Sequence, residues 1–465
     1  MSQVSLSPPT GAPLATIAAI ATGAGAGGIG VLRVSGPDAL AACLPLAPRV
    51  PAPPVPRHAY LSPLVDRRGA LLDTGLLLHF RAPASFTGED VVELHTHGSP
   101  ALLRLLLRAV LEDGRVRLAT PGEFTRRAFL HGKLDLSRAE GVADLIAADS
   151  EAAVRAAAAQ VSGALAEAVG ALLGPLRALH ADLQAALDFP DEADWAEEAG
   201  AEAAVAARLD ALSRQAGGLL AGAERGRLVR RGARVALFGP PNAGKSTLFN
   251  ALLGEARALV DAEPGTTRDV LEARLELAGH GLTLLDTAGL REAPGRVERL
   301  GVAQARAALA GADLAVLVLP EGTPPAEVEA WRREAGAAPL LHARSKADLQ
   351  EGGTGAGGAG GEGLRVSAHT GEGVEALREA VVRWLTGGQA GDAAGAVLVT
   401  SERHQDALRR CAEALGRAQA ALGVGTLEVV AGEVGLAHEA LGEVTGESAS
   451  QALLDALFAR FCIGK

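Results

Sequence analysis

Several short stretches of this chain carry residue types whose spacing suits phosphate chemistry. In "GPPNAGKST", residues 239–247, two glycines frame a tight turn that is followed by a lysine and two hydroxyls. Glycine at 239 and 244 lets main-chain N–H groups approach phosphate oxygens with no Cβ in the way. Asn242, Ala243, Gly244, Lys245, Ser246 and Thr247 would then line a cradle. Lys245 supplies a point charge to the β and γ phosphates, and the Ser246 hydroxyl suits Mg2+. Such a G-x-x-x-x-G-K-[ST] run carries this meaning only between a strand and a helix. Here "RVALF" precedes it and "TLFNALLG" follows.

The complementary parts come in order. "EPGTTRD", 263–269, offers Thr267 as a second magnesium ligand, and "LLDTAG", 284–289, ends a buried strand on Asp286 with Thr287, Ala288 and Gly289 beside the γ phosphate. "SKAD", 345–348, places Lys346 and Asp348 at the base, and "SAHTGEG", 367–373, adds Ser367 and Ala368. A carboxylate at 348 accepts from guanine N1–H and N2–H2, whereas adenine presents an acceptor there and would leave a charge unpaired. GTP is therefore the expected nucleotide. Ser345 stands where the base-reading motif normally has Asn, so weaker guanine affinity is expected. Leu290 follows "DTAG" where many small GTPases use Gln to orient water. An apolar side chain cannot do so, which leaves Arg291, Glu292, Glu298 and Arg299 as polar candidates in the same stretch.

Such a site needs a sheet behind it. Between 232 and 385, strand-like runs alternate with helical ones, which predicts a parallel sheet covered on both faces. Residues 14–120 mix β-like runs with one leucine-rich helix stopped at Gly114, an α+β pattern. From about Leu134, apolar residues at 161, 165, 169, 172, 176, 179, 183 and 187 predict one long amphipathic helix, with Ser137 and Glu140 as a capping box near its start. More helix is expected over 201–230 and after 400. Burying these stripes on one another makes the α/β unit an insert in a discontinuous helical domain. The expected divisions are 1–132, 133–231, 232–385 and 386–465, and "GGTGAGGAGGEG" at 352–363 reads as a mobile surface loop.

Composition narrows the partners. The chain has 465 residues, 48% hydrophobic and 21% charged, and no apolar run near the roughly 20 residues of a membrane helix. "LATIAAIATGAG" lacks a basic lead and a cleavage site, so a cytoplasmic protein is expected. Three cysteines, Cys43, Cys411 and Cys462, suit neither a disulfide framework nor a zinc site. A net charge of −11 opposes a broad grip on nucleic acid, and the one basic run, "RGRLVRRGAR" at 225–234, reads as a solvated face more readily than as a nucleic-acid patch. "GAGAGG" at 23–28 fits a dinucleotide motif but leads into a strand, not a helix. His95 and His97 share a strand face with no third metal ligand nearby.

The whole order resembles the MnmE/TrmE family of tRNA uridine modification GTPases. It is carried by "GIGVLRVSG", "FTGEDVVELHTHG", "PGEFTRRAFLHGKLDLSRAE", "DFPDEAD", "PNAGKST", "GTTRD", "DTAGLRE" and the final "FCIGK". The resemblance implies an α+β folate-binding-like head, an all-α helical domain and an inserted Ras-like G domain. It further implies G domains that dimerise across GTP, with a potassium ion where other GTPases receive an arginine finger. Asn242, Asp261, Glu263 and Thr266 would hold that ion, and Glu298 would orient the attacking water. The head would bind 5,10-methylene- or 5-formyl-tetrahydrofolate through Arg33, Glu93, Lys133 and Lys465, with Cys462 held beside the one-carbon unit as nucleophile, proton carrier or inert thiol. Arg33 and the lysines would meet the glutamate tail, and Glu93 the pterin. An arginine that many relatives carry before "GG" at 27–28 is absent, which weakens one folate or dimer contact. The implied activity is C5 modification of the wobble uridine of certain tRNAs, by a homodimer working with an FAD-dependent partner. A ribosome-assembly GTPase and a nucleotide-gated scaffold without turnover are the rival readings.

Overall fold

The computed structural model describes residues 15–189, 201–254, 257–258, 271–287, 307–336, 338–349, 363–387, 399–462 and 464. The chain forms two compact units, one of residues 1–143, 169–190 and 427–465 and the other of 144–168 and 191–426.

In the first unit a six-stranded sheet is built from β1 (Thr16–Ile20), β2 (Gly27–Ser35), β3 (Tyr60–Val65), β4 (Leu71–Phe80), β5 (Val91–Gly98) and β6 (Val116–Leu118), in the order β3-β4-β5-β2-β1-β6. Every pairing is antiparallel except β1 with β6. Strand alternation sorts the side chains. Leu32, Val34, Leu77, Val92 and Leu94 go to one face, where helix α1 (Ala39–Cys43) and the amphipathic α2 (Pro100–Leu111) cover them. Arg33 and Glu93 therefore fall on the opposite face, together with the small apolar cluster of Ile17, Ala19, Ala119 and Phe124. Phe124 belongs to α3 (Glu123–Leu130). The "GAGAGG" segment does lead into a strand, β2.

Two helical expectations need correction. Helix α4 (Leu136–Ala147) is capped two residues earlier than the capping box implied: Asp135 Oδ1 accepts from the Arg138 N–H at 2.9 Å, and Ser137 lies inside the helix, donating to Asp135. A carboxylate satisfies the open N–H groups of a first turn as well as a hydroxyl does. The long helix is in fact three, α4, α5 (Glu151–Ser162) and α6 (Ala164–Asp188): Ser150 caps a new start at α5, and Gly163 takes a left-handed φ of 106° between α5 and α6. The predicted stripe survives on α6, where Leu165, Val169, Leu172, Leu176, Leu179 and Leu183 are buried.

In the second unit, α7 (Ala201–Ala221) and α8 (Ala223–Arg231) lead into β7 (Ala233–Phe238) and then α9 (Lys245–Leu253). Strands β8 (Arg257–Ala258), β9 (Leu271–Leu277), β10 (His280–Asp286) and β11 (Leu314–Pro320) follow, then α10 (Pro325–Glu334), β12 (Leu340–Ser345), β13 (Leu364–Arg365) and α11 (Val374–Leu385). The sheet order is β13-β12-β11-β7-β10-β9-β8. It is not purely parallel as expected: β8 and β9 run antiparallel at one edge. The cause is local, since Ala278 and Gly279 both have positive φ and close β9 onto β10 in a two-residue turn. Helix α12 (Glu402–Ala421) packs on α7 in the same unit, while α13 (Leu427–Thr445) and α14 (Gln451–Phe458) belong to the first.

The basic run at 225–234 is spent on ion pairs. Arg230 meets Asp144 at 2.7 Å, Arg231 meets Asp313 at 2.6 Å and Arg234 meets Glu272 at 3.2 Å. Among the described residues no single helix is long and apolar enough to cross a membrane. Most of the glycine-rich segment at 352–363 lies outside the described residues.

Candidate functional site

The nucleotide motifs converge at the carboxyl end of the second sheet. β7 is flanked by β10 and β11, both parallel to it, so its end opens above a buried core. The loop that follows turns on Gly239, whose φ is 143°; a Cβ there would sit 2.2 Å from the Val318 carbonyl oxygen, which excludes every other residue. Asn242 and Gly244 adopt left-handed backbone, and the first helical hydrogen bond of α9 runs from Leu248 N–H to Gly244 O at 2.8 Å. The earlier N–H groups, at the positive end of the helix, therefore point at the loop. Lys245 is buried and arches back over it, its Nζ donating to Gly239 O at 3.0 Å and Pro240 O at 2.7 Å. These carbonyls hold the ammonium above the turn. Ser246, Thr247 and Asn242 are exposed, and Asp286 is fully buried at the end of β10, the strand next to β7, as the register partner of Leu237. Thr287 fixes that end by donating its hydroxyl to Leu237 O at 2.8 Å.

Ser345 has a role the sequence did not suggest. It is buried at the end of β12, and its Oγ donates to Ala243 O at 2.6 Å, so it braces the phosphate loop from behind. Lys346 follows in left-handed backbone, and the exposed Asp348 accepts from Ser367 Oγ at 2.6 Å. That hydrogen bond, with one from the main chain, holds the Asp348 carboxyl below the usual carboxylate range. Ser367 is itself locked by Thr370 N–H at 3.2 Å, and Ala368 follows it half-buried. The carboxylate is thus kept ionised and oriented, which is what a guanine edge requires.

On the free face of the first sheet, Arg33 and Glu93 are register partners on β2 and β5. Arg33 Nε and Nη2 both reach Glu93 Oε1, at 2.9 and 2.8 Å. The guanidinium carbon stands 5.8 Å from the Phe86 ring centre and 5.9 Å from that of Phe124, a cation held between two rings. Glu93 Oε2 meets His95 Nε2 at 3.0 Å. Burial pushes the Glu93 carboxyl up, but His95 and Arg33 outweigh it and leave it below the usual range. Arg33 and Glu93 thus form a single pair on this face. His97 pairs instead with Asp73 at 2.9 Å. Lys133 is exposed and donates to Pro83 O at 3.0 Å, at the start of the loop that carries Phe86.

Beneath this face lies a buried charge network that sequence reading missed. Arg127, 2% exposed, donates to both oxygens of Glu89 at 3.0 and 2.9 Å and to Glu123 Oε1 at 2.8 Å. Glu89 Oε2 also accepts from Ser35 Oγ at 2.7 Å. The only textual signal was the density of charge in "FTGED" and "GEFTRR".

The carboxyl terminus docks in the same unit. Phe458 and Phe461 join Leu136, Ala139 and Leu454 in a cluster, with ring centres 5.5 Å apart. Gly122, left-handed at the start of α3, approaches so closely that a Cβ would lie 2.5 Å from Phe458 O, and a Cβ on Gly464 would lie 2.3 Å from Ile20 O. Ile20 adjoins Ala19, the register partner of Arg33, so the exposed Cys462 lies on the stretch between α3 and the end of β1. Asp261, Glu263, Thr266, Thr267, Ala288, Gly289, Leu290, Arg291, Glu292, Glu298, Arg299 and Lys465 lie outside the described residues.

Comparison with known proteins agrees with this arrangement. Residues 16–133 match the model described as the GTP-binding protein TrmE N-terminus, and residues 136–462 match that of the MnmE helical domain. A protein named tRNA modification GTPase MnmE from Myxococcus xanthus (strain DK1622) is 64% identical over 97% of this chain and 99% of its own length. Proteins of the same name from Alkalilimnicola ehrlichii (strain ATCC BAA-1101 / DSM 17681 / MLHE-1) and Neisseria meningitidis serogroup A / serotype 4A (strain DSM 15465 / Z2491) are 44% and 43% identical, each over 97% of this chain and 99% of theirs. Carrying both domain models and a braced phosphate loop, the chain belongs to the MnmE/TrmE family of tRNA modification GTPases.

Proposed function

We propose that this chain hydrolyses GTP in a potassium-activated cycle and, with an FAD-dependent partner, modifies C5 of the wobble uridine of certain tRNAs to the carboxymethylaminomethyl form. The observation that carries the GTP reading is the phosphate loop, with Lys245 arched over it, Ser345 bracing it and Asp348 held ionised at the base. The buried Asp286 and the exposed hydroxyl of Ser246 suit a hard divalent cation, which oxygen ligands prefer. Mg2+ would be held by these two and Thr267, and potassium by Asn242, Asp261, Glu263 and Thr266. Bound there, the cations would neutralise charge that develops on the phosphate oxygens. The chain's own residues then divide the work. Main-chain N–H groups at the start of α9 bind the β phosphate, Lys245 follows the γ phosphate, and Glu298 orients water in place of the glutamine that Leu290 replaces.

The face holding Arg33 and Glu93 would take a reduced folate, 5,10-methylene- or 5-formyl-tetrahydrofolate, with Lys133 and Lys465 at its anionic tail and Cys462 near the one-carbon unit. Supporting this are the aromatic rings flanking Arg33 and the docking of the carboxyl-terminal tail beside that face. A homodimer in the cytoplasm completes the reading, with 1–132 as its folate and dimerisation domain, 232–385 as the G domain and 133–231 with 386–465 as the helical domain. The test is GTP turnover in potassium and in sodium. Turnover should require potassium and collapse in Asn242→Ala; equal rates in the two salts would overturn the cation assignment. Mass spectrometry of tRNA from cells lacking the protein should show loss of the C5 modification.

A further inference from the structure

We infer that Arg378 is a positioning residue that fixes the phosphate loop at a set distance from the base pocket and so slows nucleotide release. This rests on the GTP reading above and deepens it. Arg378 lies one turn into α11 and is 7% exposed. Its Nη2 donates to Ala251 O and to Leu252 O, each at 3.1 Å, and its Nη1 donates to Glu375 Oε2 at 3.1 Å. Both carbonyls belong to the last turn of α9, whose first turn carries Lys245 and Ser246. The last carbonyls of a helix have no partner within it and lie at its negative end, which suits a guanidinium. Apolar packing also joins the two helices, since Leu248 and Leu252 share a core cluster with Val374, Leu377 and Val381. Such packing is non-directional, so it resists separation more than sliding along the helix axis. Charge-assisted hydrogen bonds aimed at two particular carbonyls resist the sliding.

The start of α11 belongs to the base pocket. Ser367, which holds Asp348, opens a loop closed by main-chain bonds from Ser367 N–H to Glu372 O at 2.8 Å and from Gly371 N–H to Ser367 O at 2.9 Å. Gly373 then passes so close to Arg365 that a Cβ would lie 1.8 Å from its carbonyl oxygen, and α11 begins at the next residue. Loop and helix are therefore one piece. A path of directional contacts runs from Asp348 through Ser367 and α11 to Arg378, and from there along α9 to Lys245. The bond from Ser345 to Ala243 is a second tie between the same two halves. A nucleotide held by its base and by its phosphates gains from both grips only while their spacing matches its own length. Slack between the halves weakens the joint hold, and the bound nucleotide leaves sooner.

The experiment is stopped-flow release of N-methylanthraniloyl-GDP from the full chain, with the melting temperature measured alongside. Arg378→Met, which keeps the length and loses the charge and the donors, should release the nucleotide about tenfold faster, as expected when a charge-assisted tie is lost from a preorganised site. Arg378→Lys, which keeps a charged donor for the same carbonyls, should fall between the two. Val381→Ala removes buried methyl groups from the same helix without touching the α9 carbonyls, so it should melt earlier yet release at the wild-type rate. Release from Arg378→Met at the wild-type rate would overturn the inference. So would an acceleration by Val381→Ala as large as that by Arg378→Met, because Arg378 would then act through stability alone. If the wild type takes up no guanine nucleotide, the GTP reading itself falls and takes this inference with it.

Discussion

Glu123→Gln offers a quantitative test of the charge network under the candidate folate face. Glu123 is nearly buried, and its carboxylate accepts from Arg117 at 2.8 Å, Arg127 at 2.8 Å and the Thr120 N–H at 3.0 Å. Burial alone would push its pKa up, but the hydrogen bonds from Arg117, Thr120 and Arg127 prevail and bring it from 4.5 down to about 2. A fall of that size corresponds to about 3 kcal/mol at roughly 1.4 kcal/mol per unit. Because the folded value is depressed, this stability is present in full above the unfolded pKa and is lost as pH falls from about 4.5 towards 2. An independent route gives a similar size, since removing one partner of a buried ion pair costs about 3–5 kcal/mol. Amide hydrogen exchange of peptides covering residues 116–130 in the full chain reads the local effect. At neutral pH the substitution should lower their protection by about a hundredfold, and the acid-induced loss expected of the wild type below pH 4.5 should be largely absent. Protection within threefold of the wild type at neutral pH would refute the idea that Glu123 anchors α3 to the sheet.

Ser345→Ala leaves the Ala243 carbonyl without its buried donor, a cost of about 1–3 kcal/mol; GTP affinity measured by calorimetry should fall several-fold, and an unchanged value would deny Ser345 its bracing role. Asp348→Asn replaces an acceptor with a donor at the base edge, so GTP binding should weaken by at least tenfold while xanthosine triphosphate, which has an acceptor there, binds better. Gly122→Ala strains a residue at φ 68° and drives a Cβ towards Phe458 O, so the carboxyl-terminal tail should be cut faster by carboxypeptidase than in the wild type. Equal cleavage rates would mean that the tail is not held there.

Much of the nucleotide site could be read from the text because its residues are local to one another. Gly239, Gly244, Lys245 and Ser246 lie within eight positions, and a strand before and a helix after are enough to aim them. The amphipathic stripe on α6 is an equally local property. What depends on register between distant strands could not be read. Arg33 and Glu93 are 60 residues apart and become partners only when β2 pairs with β5, and Ser345 reaches Ala243 across 102 residues. The same holds for the burial of Arg127 between Glu89, 38 positions away, and Glu123. Short-range geometry is set by the chain's own dihedral preferences and periodicity. Which charges meet, and whether water still reaches them, is settled only when separate elements close on one another and exclude it.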